Sequence, residues 1–571
     1  MSGFDRKPYL TSLVLDQALL NSCQDNLECS LEMIADIEAT DGVIRISERN
    51  KYYVKDGVGY FYEARTNIPV ISRTIGDWLV PEIQFSTLQL EISNVDGRYN
   101  AFLPCGPEYS PWINKNVTVK LGLGEIGDTF FTIFSGRITD VGGFKRSVKS
   151  LTVIARDVFD SLTNDFPKSF IKDSDYPLAQ ESVIGKILPV IYGDWTVSLD
   201  PEPAIIPTFV VNGNDDNVKG GDRNPVQVIV TDHDLTFFDN THVYLKKGDT
   251  YYQIPSSEIT VGSGNKSFTV AQDPDGTWVN EEKYEYDQAD AFYVRVKGKD
   301  LGSYDDNIIW QARDLLITYG GISESVLDAN WATFRDKSSP EQSAIANFKS
   351  RIYENSPKPV IQYVLSLLEQ VRLELFVSRD QKLKINSLHF EDFVIQNYTL
   401  KNWDIVLNSF NLSIDERHNF NRCRGVFDLH PDRGENAQST PIFKNQAAIS
   451  QIGNKEISKQ ITFPNLYEIS AVNYQVQEIL KIASSTLEIV QCSTTWRSAL
   501  KDIGDIVKMT IQIGSVEYVD VPVMIREIGY DPIGLKLPMK LWVFAMCPFP
   551  SYEPNFAGTV GGFNATITEE A

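Results

Sequence analysis

A short polar segment at residues 94–99, Asn-Val-Asp-Gly-Arg-Tyr, carries residue types from which a cation site can be built. Asn94 and Asp96 supply side-chain oxygens, so a calcium loop is one interpretation. An EF-hand loop ends with a bidentate glutamate at its twelfth position, and no glutamate stands there in this sequence. The Asp-Gly pair instead predicts a tight turn in which Gly97 has a positive φ. We favour the turn.

Other polar clusters have similar interpretations. The segments NGNDDN (212–217) and DPDGTW (273–278) are typical of solvated turns, although the first could bind a cation weakly. The segment DLHPDRGEN places His430 among three carboxylates, which is also typical of a polar loop. The other histidines are scattered, so we expect no metal centre and no cofactor.

Motifs for catalysis are missing from the sequence. It contains no G-x-S-x-G, H-E-x-x-H, Walker or G-x-G-x-x-G segment. With 76 acidic residues, pairs of carboxylates are too common to indicate a glycosidase. No C-x-x-C pair is present, and the six cysteines are interpreted as reduced thiols of a protein made in a cytosol: Cys23, Cys29, Cys105, Cys423, Cys492 and Cys547. We therefore expect no enzyme.

Charge and length limit the class of protein further. The chain has 571 residues, enough for three or four domains, and a net charge of −23. This charge argues against a protein that grips nucleic acid or an anionic membrane surface. No run of about 18 apolar residues could span a bilayer, and the first residues do not resemble a signal peptide.

The residues from 1 to 165 are predicted to form a β-barrel or sandwich. Their apolar and polar residues alternate with a period of two, and Gly, Asn and Asp separate the runs. A short helix, DVFDSLTND, is predicted to close the unit. The predicted strands lie in VIRISERN, KYYVKDGVGYFYEA, STLQLEIS, NVTVKLGLG, FFTIFSGRITDVGG and KSLTVIARD.

The next segments alternate between connections and structured parts. Residues 166–204 are rich in proline and predict a linker, and residues 205–298 return to strand patterns and predict a small inserted all-β domain. Residues 299–400 predict an α/β segment, in which apolar residues from Ile308 to Tyr319 follow one helix face and Gly320-Gly321 ends it.

This α/β segment contains two more predicted features. The segments SPEQSAIANFKSRIY and KPVIQYVLSLLEQVRLELFVS continue the helical pattern. The sequence LELFVSRDQKLKINSLHF then predicts a hairpin with Arg379-Asp380 near its turn.

The C-terminal part is predicted to be a second β-barrel-like domain over residues 401–548, with one helix, ISAVNYQVQEILKIA, inside it. Residues 549–571 predict an exposed tail. The fold class that follows is mainly β with an α/β part, in several domains.

A composite pattern in the first domain resembles a known family. The turn is followed by FTIFSGRITDVGG and then by a strand into ARDVFDSLTND. This order resembles N-x-DGR-[FY], F-x-G-x-I and A-x-D-x-x-x-x-L in tail-tip and minor tail proteins of long-tailed bacteriophages. The matching residues are Asn94, Asp96, Gly97, Arg98 and Tyr99, then Phe134, Gly136 and Ile138, and finally Ala155, Asp157 and Leu162.

The second half resembles the hub proteins of phage tails and baseplates. A helix leads into LELFVSRDQKLKIN, and LKDIGDIVKMTIQ with Gly504 and Asp505 comes later. In such hubs two β-barrel domains are joined by an α/β part, and three copies close into a ring. Residues 205–298 depart from the pattern.

The resemblance implies a structural virion protein at the phage tail tip, made in the bacterial host cytoplasm. A homotrimeric baseplate hub would link the tail tube to a central tip, take part in host cell attachment and open for genome ejection. The implied partners are a distal tail or tube protein, a tape-measure protein and a central tip or fibre protein. DNA would pass through without specific binding, and the host surface is a further candidate. The alternative is a β-rich carbohydrate-binding protein or hydrolase of the host surface.

Overall fold

The computed structural model describes most of the chain. The described residues are 31–543 and 567–570, except 56–57, 67–70, 76–82, 84–86, 105, 124–129, 143–148, 178, 180, 198–201, 213–225, 271–290, 336–347, 379–380, 390–392, 407, 416–418, 452, 485–486, 496–497, 499–500, 515 and 532–535. No helix among them is long and apolar enough to cross a membrane.

The described residues are mainly strands, which confirms the predicted fold class. The first strands are β1 Leu31–Ala39, β2 Gly42–Ser47, β3 Lys51–Lys55, β4 Val58–Ala64, β5 Ile71–Thr74, β6 Thr87–Ser93, β7 Asn116–Leu123, β8 Phe131–Gly142, β9 Ser150–Asp157, β10 Asp165–Phe166 and β11 Val190–Tyr192. Next come β12 Ile206–Pro207, β13 Phe209–Asn212, β14 Val226–Ile229, β15 Phe237–Lys247, β16 Thr250–Gln253, β17 Ile259–Val261, β18 Ser267–Val270, β19 Ala291–Lys297, β20 Ile352–Glu354, β21 Lys358–Pro359, β22 Leu373–Val377 and β23 Leu383–Ser387.

The remaining strands are β24 Ile395–Lys401, β25 Asn411–Asp415, β26 Arg422–Leu429, β27 Asn436–Ser439, β28 Ile442–Asn445, β29 Ser458–Phe463, β30 Leu487–Thr494, β31 Ile506–Ile513, β32 Val516–Tyr530, β33 Leu537–Val543 and β34 Ile567–Glu570. The α-helices are α1 Tyr109–Trp112, α2 Ile308–Thr318, α3 Asn330–Arg335, α4 Val360–Gln370, α5 Gln446–Gln451 and α6 Ile469–Ala483.

The first part of the chain forms a closed barrel. Its sheet has the strand order β3-β4-β2-β1-β7-β8-β9-β6. The chain just beyond β4 meets the other end of this sheet, because Thr66 bridges Ile92 and the Ser93 N–H donates to the Arg65 carbonyl at 2.6 Å. The residues just beyond β4, next to β2, therefore pair with β6 and close the ring of strands. Strand β3 remains outside this ring.

The period-two pattern of the sequence explains which side chains fill this barrel. Along β6, Leu88, Leu90 and Ile92 are buried and the residues between them are exposed. Strand β9 alternates in the same way, with Leu151 and Val153 fully buried. The predicted closing helix is present as a 3₁₀-helix, Val158–Thr163.

The C-terminal part forms a second closed sheet. Its strand order is β24-β31-β32-β33-β30-β25. The chain beyond β24 meets the far side of β30, because Ile405 bridges Thr494 and the Val406 N–H donates to the Ser493 carbonyl at 2.8 Å. Both sheets thus close through residues that come a few positions after a strand.

The two barrels are fused by one strand. Strand β5 comes from the N-terminal part, yet it pairs antiparallel with the end of β32 in the C-terminal sheet. One hydrophobic cluster contains inward side chains of both barrels, for example Leu90 and Val153 of the first with Val523 and Leu541 of the second. The barrels therefore share a core.

The α/β part packs against a separate cluster that includes α2, α4 and α6. Asn307 caps α2, since its side chain accepts a hydrogen bond from the Trp310 N–H at 3.0 Å. Helix α2 ends at Thr318, and Gly321 follows with a φ of +67°. Strands β22 and β23 form the predicted hairpin, although Arg379-Asp380 lie outside the described residues.

The inserted segment forms two four-stranded sheets with the orders β12-β19-β15-β16 and β13-β14-β18-β17. Their core also contains Ile191 and Trp195, which precede residue 205. The hydrophobic contacts of this unit thus begin before the predicted boundary. The domain boundaries themselves stay predictions.

Three local predictions need correction. The helix expected in SPEQSAIANFKSRIY is replaced at its end by β20, which pairs with β11. Strand β11 lies in the predicted linker, so that segment is more than a connection. Four residues of the predicted exposed tail form β34, paired with β28. Each error has the same cause, because pairing with a distant strand overrides a local pattern. Residues 336–347 and most of the tail lie outside the described residues.

Candidate functional site

The turn at residues 94–99 follows β6 directly and is organised by a buried asparagine. The Asn94 Oδ1 accepts from the Tyr99 N–H at 2.8 Å, and its Nδ2 donates to the Asn100 Oδ1 at 2.8 Å. Gly97 has a φ of +70°, the conformation that the turn interpretation requires. A β-carbon at this position would lie 3.0 Å from the Asn100 Nδ2.

Four charged side chains, which we call the barrel clamp, surround this turn: Glu63, Arg65, Asp96 and Arg98. Arg65 binds both carboxylate oxygens of Asp96, with distances of 3.0 and 2.7 Å, and its Nε donates to Glu63 at 2.6 Å. Arg98 donates to the other oxygen of Glu63. Both guanidinium groups lie over the Tyr99 ring, at 5.4 and 5.9 Å from its centre.

The clamp lowers the pKa values of its two carboxylates. The hydrogen bond from Arg65 lowers the pKa of Asp96 to about 2, and hydrogen bonds from Arg65 and Arg98 lower the pKa of Glu63. Both groups are therefore anionic at neutral pH and already hold cationic partners. A calcium ion at Asp96 would have to displace Arg65.

The clamp lies where the first barrel closes. Arg65 supplies the carbonyl that accepts the Ser93 N–H at the closing bridge, and its side chain holds the turn that follows Ser93. The motif turn therefore fixes the end of β6 against the end of β4. Sequence reasoning identified Asp96 and Arg98 but missed Glu63 and Arg65, which stand about thirty positions earlier.

The second motif segment fills the barrel wall. Phe134 and Ile138 are buried in β8. Gly136 lies opposite Asp157, and a β-carbon there would approach the Arg156 carbonyl oxygen to 2.2 Å and the tip of Phe134 to 2.6 Å. Only glycine permits this close approach of β8 and β9.

The third motif segment starts the closing helix. Ala155 and Leu162 are fully buried, and the buried Asp157 accepts a hydrogen bond from the Phe159 N–H at 3.2 Å. In the register of β6 with β9, Ser93 lies opposite Ser150 and Thr87 opposite Arg156. Asp157 and the turn after Ser93 are therefore at opposite ends of the barrel, and the three motif segments do not converge on one site.

Gly504 and Asp505 form the turn that precedes β31. Gly504 has a φ of +82°, and its N–H donates to the Ile525 carbonyl at 2.8 Å. The Asp505 side chain accepts from the Asp502 N–H at 2.9 Å. Burial raises the pKa of Asp505, and the charge of Asp502 adds to this effect.

This turn lies next to Arg73, a buried arginine that joins the two barrels. We call the group of Arg73, Asp502 and Tyr530 the barrel seam. Arg73, on β5, is almost fully buried and donates to Asp502 at 2.8 Å and to the Tyr530 hydroxyl at 2.9 Å. The Ile75 N–H also donates to the Arg526 carbonyl at 2.8 Å. No local pattern marks Arg73, since its partners stand more than four hundred positions away in the sequence.

The predicted motif residues thus shape turns and strand contacts of the two barrels. Among the described residues, no group of three or more His, Cys, Asp or Glu side chains could hold a metal ion. Burial raises the pKa of the Cys423 and Cys492 thiols to about 12, which keeps both protonated at neutral pH.

Comparison with known proteins gives weak likenesses only. No family model and no curated protein matches the chain. The 43 kDa tail protein of prophage MuSo2 from Shewanella oneidensis is 12% identical, with 90% of this chain and 98% of that chain covered and a TM-score of 0.38. A tail protein from Neisseria meningitidis MC58 is 9% identical, with 90% and 95% covered and a TM-score of 0.39. At these scores the likenesses carry no functional argument.

Proposed function

We propose that the chain is a structural protein of a bacteriophage tail, and more specifically a hub of the tail tip or baseplate. The observation that carries the proposal is the fusion of two closed barrels through β5 and one shared core. The motif resemblance implies two β-barrel domains in each ring-building subunit, joined by an α/β part; the direct fusion through β5 comes in addition to that expectation. The motif residues have structural roles in it, which suits a protein with a mechanical task.

Fusion of the barrels gives the subunit rigidity. Two barrels joined by a flexible linker would rotate independently, because small interdomain interfaces permit motion. Here a paired strand, a shared core and the buried Arg73 connect them. A hub that transmits a conformational signal from a tail tip to a tail tube requires such a stiff connection.

Assembly into a homotrimer is part of the proposal. The hairpin of β3 and β4 extends beyond the closed barrel, and Tyr52, Val58 and Phe61 on it are more than half exposed. Strand β3 is also the terminal strand of its sheet, and an exposed apolar edge favours association. We place part of the subunit interface on this hairpin.

The proposed partners follow from the position of a hub. They are a tube or distal tail protein on one side, a central tip or fibre protein on the other, and the tape-measure protein and DNA within the ring. With a net charge of −23, the ring would repel the DNA backbone, so that DNA passes without specific binding.

The test is the mass of the native assembly. Native mass spectrometry of the purified full-length chain is expected to give the mass of three copies. We expect the subunit interface to be of the obligate class, on the order of 2,000 Å² or more. Substitution of Tyr52 and Phe61 by serine should shift the protein toward monomer, while the exposed Val519, changed to serine, serves as the control. A protein that remains a monomer within purified phage particles would overturn the trimer.

A further inference from the structure

The inserted unit, residues 205–298, is attached through two chain crossings that lie side by side. The Trp195 N–H donates to the Val296 carbonyl at 2.9 Å, the Gly298 N–H to the Gly193 carbonyl at 2.8 Å, and the Lys299 N–H to the Ile191 carbonyl at 2.9 Å. The unit therefore leaves and re-enters the rest of the chain at one place, residues 191–195 and 296–299, which we call the root; Val211 and Ile229 of the unit also pack against Ile171, Val183 and Leu188. Any movement of the unit has to open or twist this root.

A histidine of the inserted unit holds the root. His233 lies in the loop after β14, and its Nε2 accepts a hydrogen bond from the Ile191 N–H at 3.0 Å. Its Nδ1 lies 3.0 Å from the Asp234 carbonyl oxygen, which only accepts. Together the two contacts select the neutral tautomer that carries its proton on Nδ1.

Protonation of His233 is incompatible with this arrangement. A second proton on Nε2 would point at the Ile191 N–H, so a hydrogen bond would become a contact between two donors. Ile191 belongs to β11, which pairs with β20 in the body of the protein. Since the Ile191 side chain lies in the core of the inserted unit while its strand pairs with β20, the contact lies at the junction between the unit and the body.

Charged groups on several neighbouring elements surround His233. Its own loop contributes Asp232 and Asp234, and Lys266 lies 3.5 Å from Asp234. From α2, Asp314 accepts from the Tyr192 hydroxyl and from Lys299, each at 2.6 Å. Asp314 is thus already bound by a cation and a phenol.

The balance of these groups sets the direction of titration. Burial lowers the pKa of His233, and the Lys299 charge acts in the same direction, while the Asp234 carbonyl and the carboxylates of Asp232 and Asp314 oppose it. A histidine whose pKa is lower in the docked state stabilises that state fully above the ordinary pKa, near 6.5. This stability is lost as the pH falls below that value.

A second polar contact holds the unit farther from the root. The Lys246 ammonium lies 3.3 Å from Asp432, and the buried Glu202 accepts from His430 and Arg433. The His430 Nδ1 accepts from the N–H groups of Asp432 and Arg433 at 3.2 and 3.3 Å. Asp428, paired with Arg351, lies on the strand that leads to His430. The pair of Lys246 and Asp432 is ionic and partly exposed, so it can separate in water, whereas Glu202 and His430 are buried and lie outside the unit.

We propose that His233 is a pH-sensitive latch, whose protonation releases the Ile191 N–H and loosens the inserted unit at its root. The inference goes beyond the proposed function and does not depend on it.

Hydrogen exchange of the full-length protein, followed by mass spectrometry, tests the latch. Protection of peptides that cover residues 189–195 and 296–299 is compared at pH 7.5 and 5.5 after correction for the intrinsic exchange rates. We expect protection to fall in acid, by no more than about tenfold per pH unit because one proton is taken up. Peptides of β6 should keep their protection, because the neighbouring Asp96 has a pKa of about 2 and stays charged at both pH values.

Two variants make the assignment specific. In His233→Gln an amide oxygen can accept the Ile191 N–H without titrating, so protection at the root should no longer depend on pH. His242→Gln is the matched control, because His242 lies in the same unit but contacts Asp239. This variant should retain the acid response. A wild-type root with equal protection at both pH values, or an acid response that persists in His233→Gln and disappears in His430→Gln, would overturn the proposal.

Discussion

At the scale of single residues, Gly97 and Asp96 support the same turn through different physical effects. Gly97 supplies a left-handed backbone conformation, which costs other residues free energy, and it leaves room for the Asn100 amide. Asp96 supplies a charge that Arg65 binds through two oxygens. Backbone and side chain therefore fix the end of β6 independently.

Replacement of Gly97 by valine is expected to damage folding and not an activity. A β-branched residue at a φ of +70° should lower the free energy of unfolding by about 1–2 kcal/mol or more. Denaturant unfolding measures the loss. Gly142→Val is the control, since a β-carbon there would lie 3.7 Å from Ile154 at ordinary contact distance. A Gly97→Val protein of unchanged stability that had lost bound calcium would show that the turn is a cation loop.

The charge of Asp96 predicts a dependence of stability on pH. Because Arg65 lowers the pKa of Asp96 to about 2, its stabilising contribution is complete above the ordinary pKa of 3.8 and is lost as the pH falls toward 2. Unfolding midpoints of the wild type and of Asp96→Asn, measured between pH 2 and 5, should converge at the acid end. Curves that remain parallel over this range would contradict the clamp.

At the scale of elements, β5 decides how the two barrels are joined. It leaves the first barrel, pairs with the last four residues of β32 and carries Arg73 into contact with Asp502. The pairing satisfies backbone groups at the sheet edge, while the buried arginine fixes which strand occupies that edge. Backbone pairing thus sets the register of β5 against β32, while the Arg73 side chain selects β5 as the partner strand.

A double-mutant cycle between Arg73 and Asp502 tests this connection. The variants Arg73→Ala, Asp502→Ala and the double variant should give a coupling of about 1–3 kcal/mol in unfolding, although the residues are 429 positions apart. The exposed pair of Lys266 and Asp234 is the control, with an expected coupling near zero. Additive effects of Arg73→Ala and Asp502→Ala would show that the ion pair does not hold the seam.

At the scale of the whole molecule, the inserted unit is predicted to be dispensable for assembly. Asp194 bridges Lys297, so the two ends of the unit are adjacent and a short Gly/Ser linker can replace residues 205–298. We expect the shortened chain to form the same oligomer as the full chain, with impaired attachment of a partner or of the virus to its host. Exposure of Ile191 and Trp195 should reduce its stability.

Native mass spectrometry of this shortened chain, beside the full-length protein, measures the outcome. Circular dichroism first verifies that its barrels have folded. A folded chain that no longer forms the oligomer of the full-length protein would place the inserted unit in the core of the ring. The boundaries predicted at residues 205 and 298 would then be wrong.

The sequence by itself determined the elements that depend on local pattern. Alternation predicted the barrel strands such as β6 and β9, the helical period predicted α6, and the Asp96-Gly97 pair predicted a turn with a positive φ. Each of these signals lies within a few residues, because backbone conformation and the direction of neighbouring side chains are set locally.

Only the tertiary structure decided which elements meet. The clamp joins Arg65 to Asp96, the seam joins Arg73 to Asp502, and β20 pairs with β11 inside a predicted linker. The strand that ends the chain, β34, pairs with β28 despite the polar composition of its surroundings. Strand pairing and buried ion pairs gain their energy from partners that are distant in sequence. Patterns within a few residues do not show which distant residues will meet.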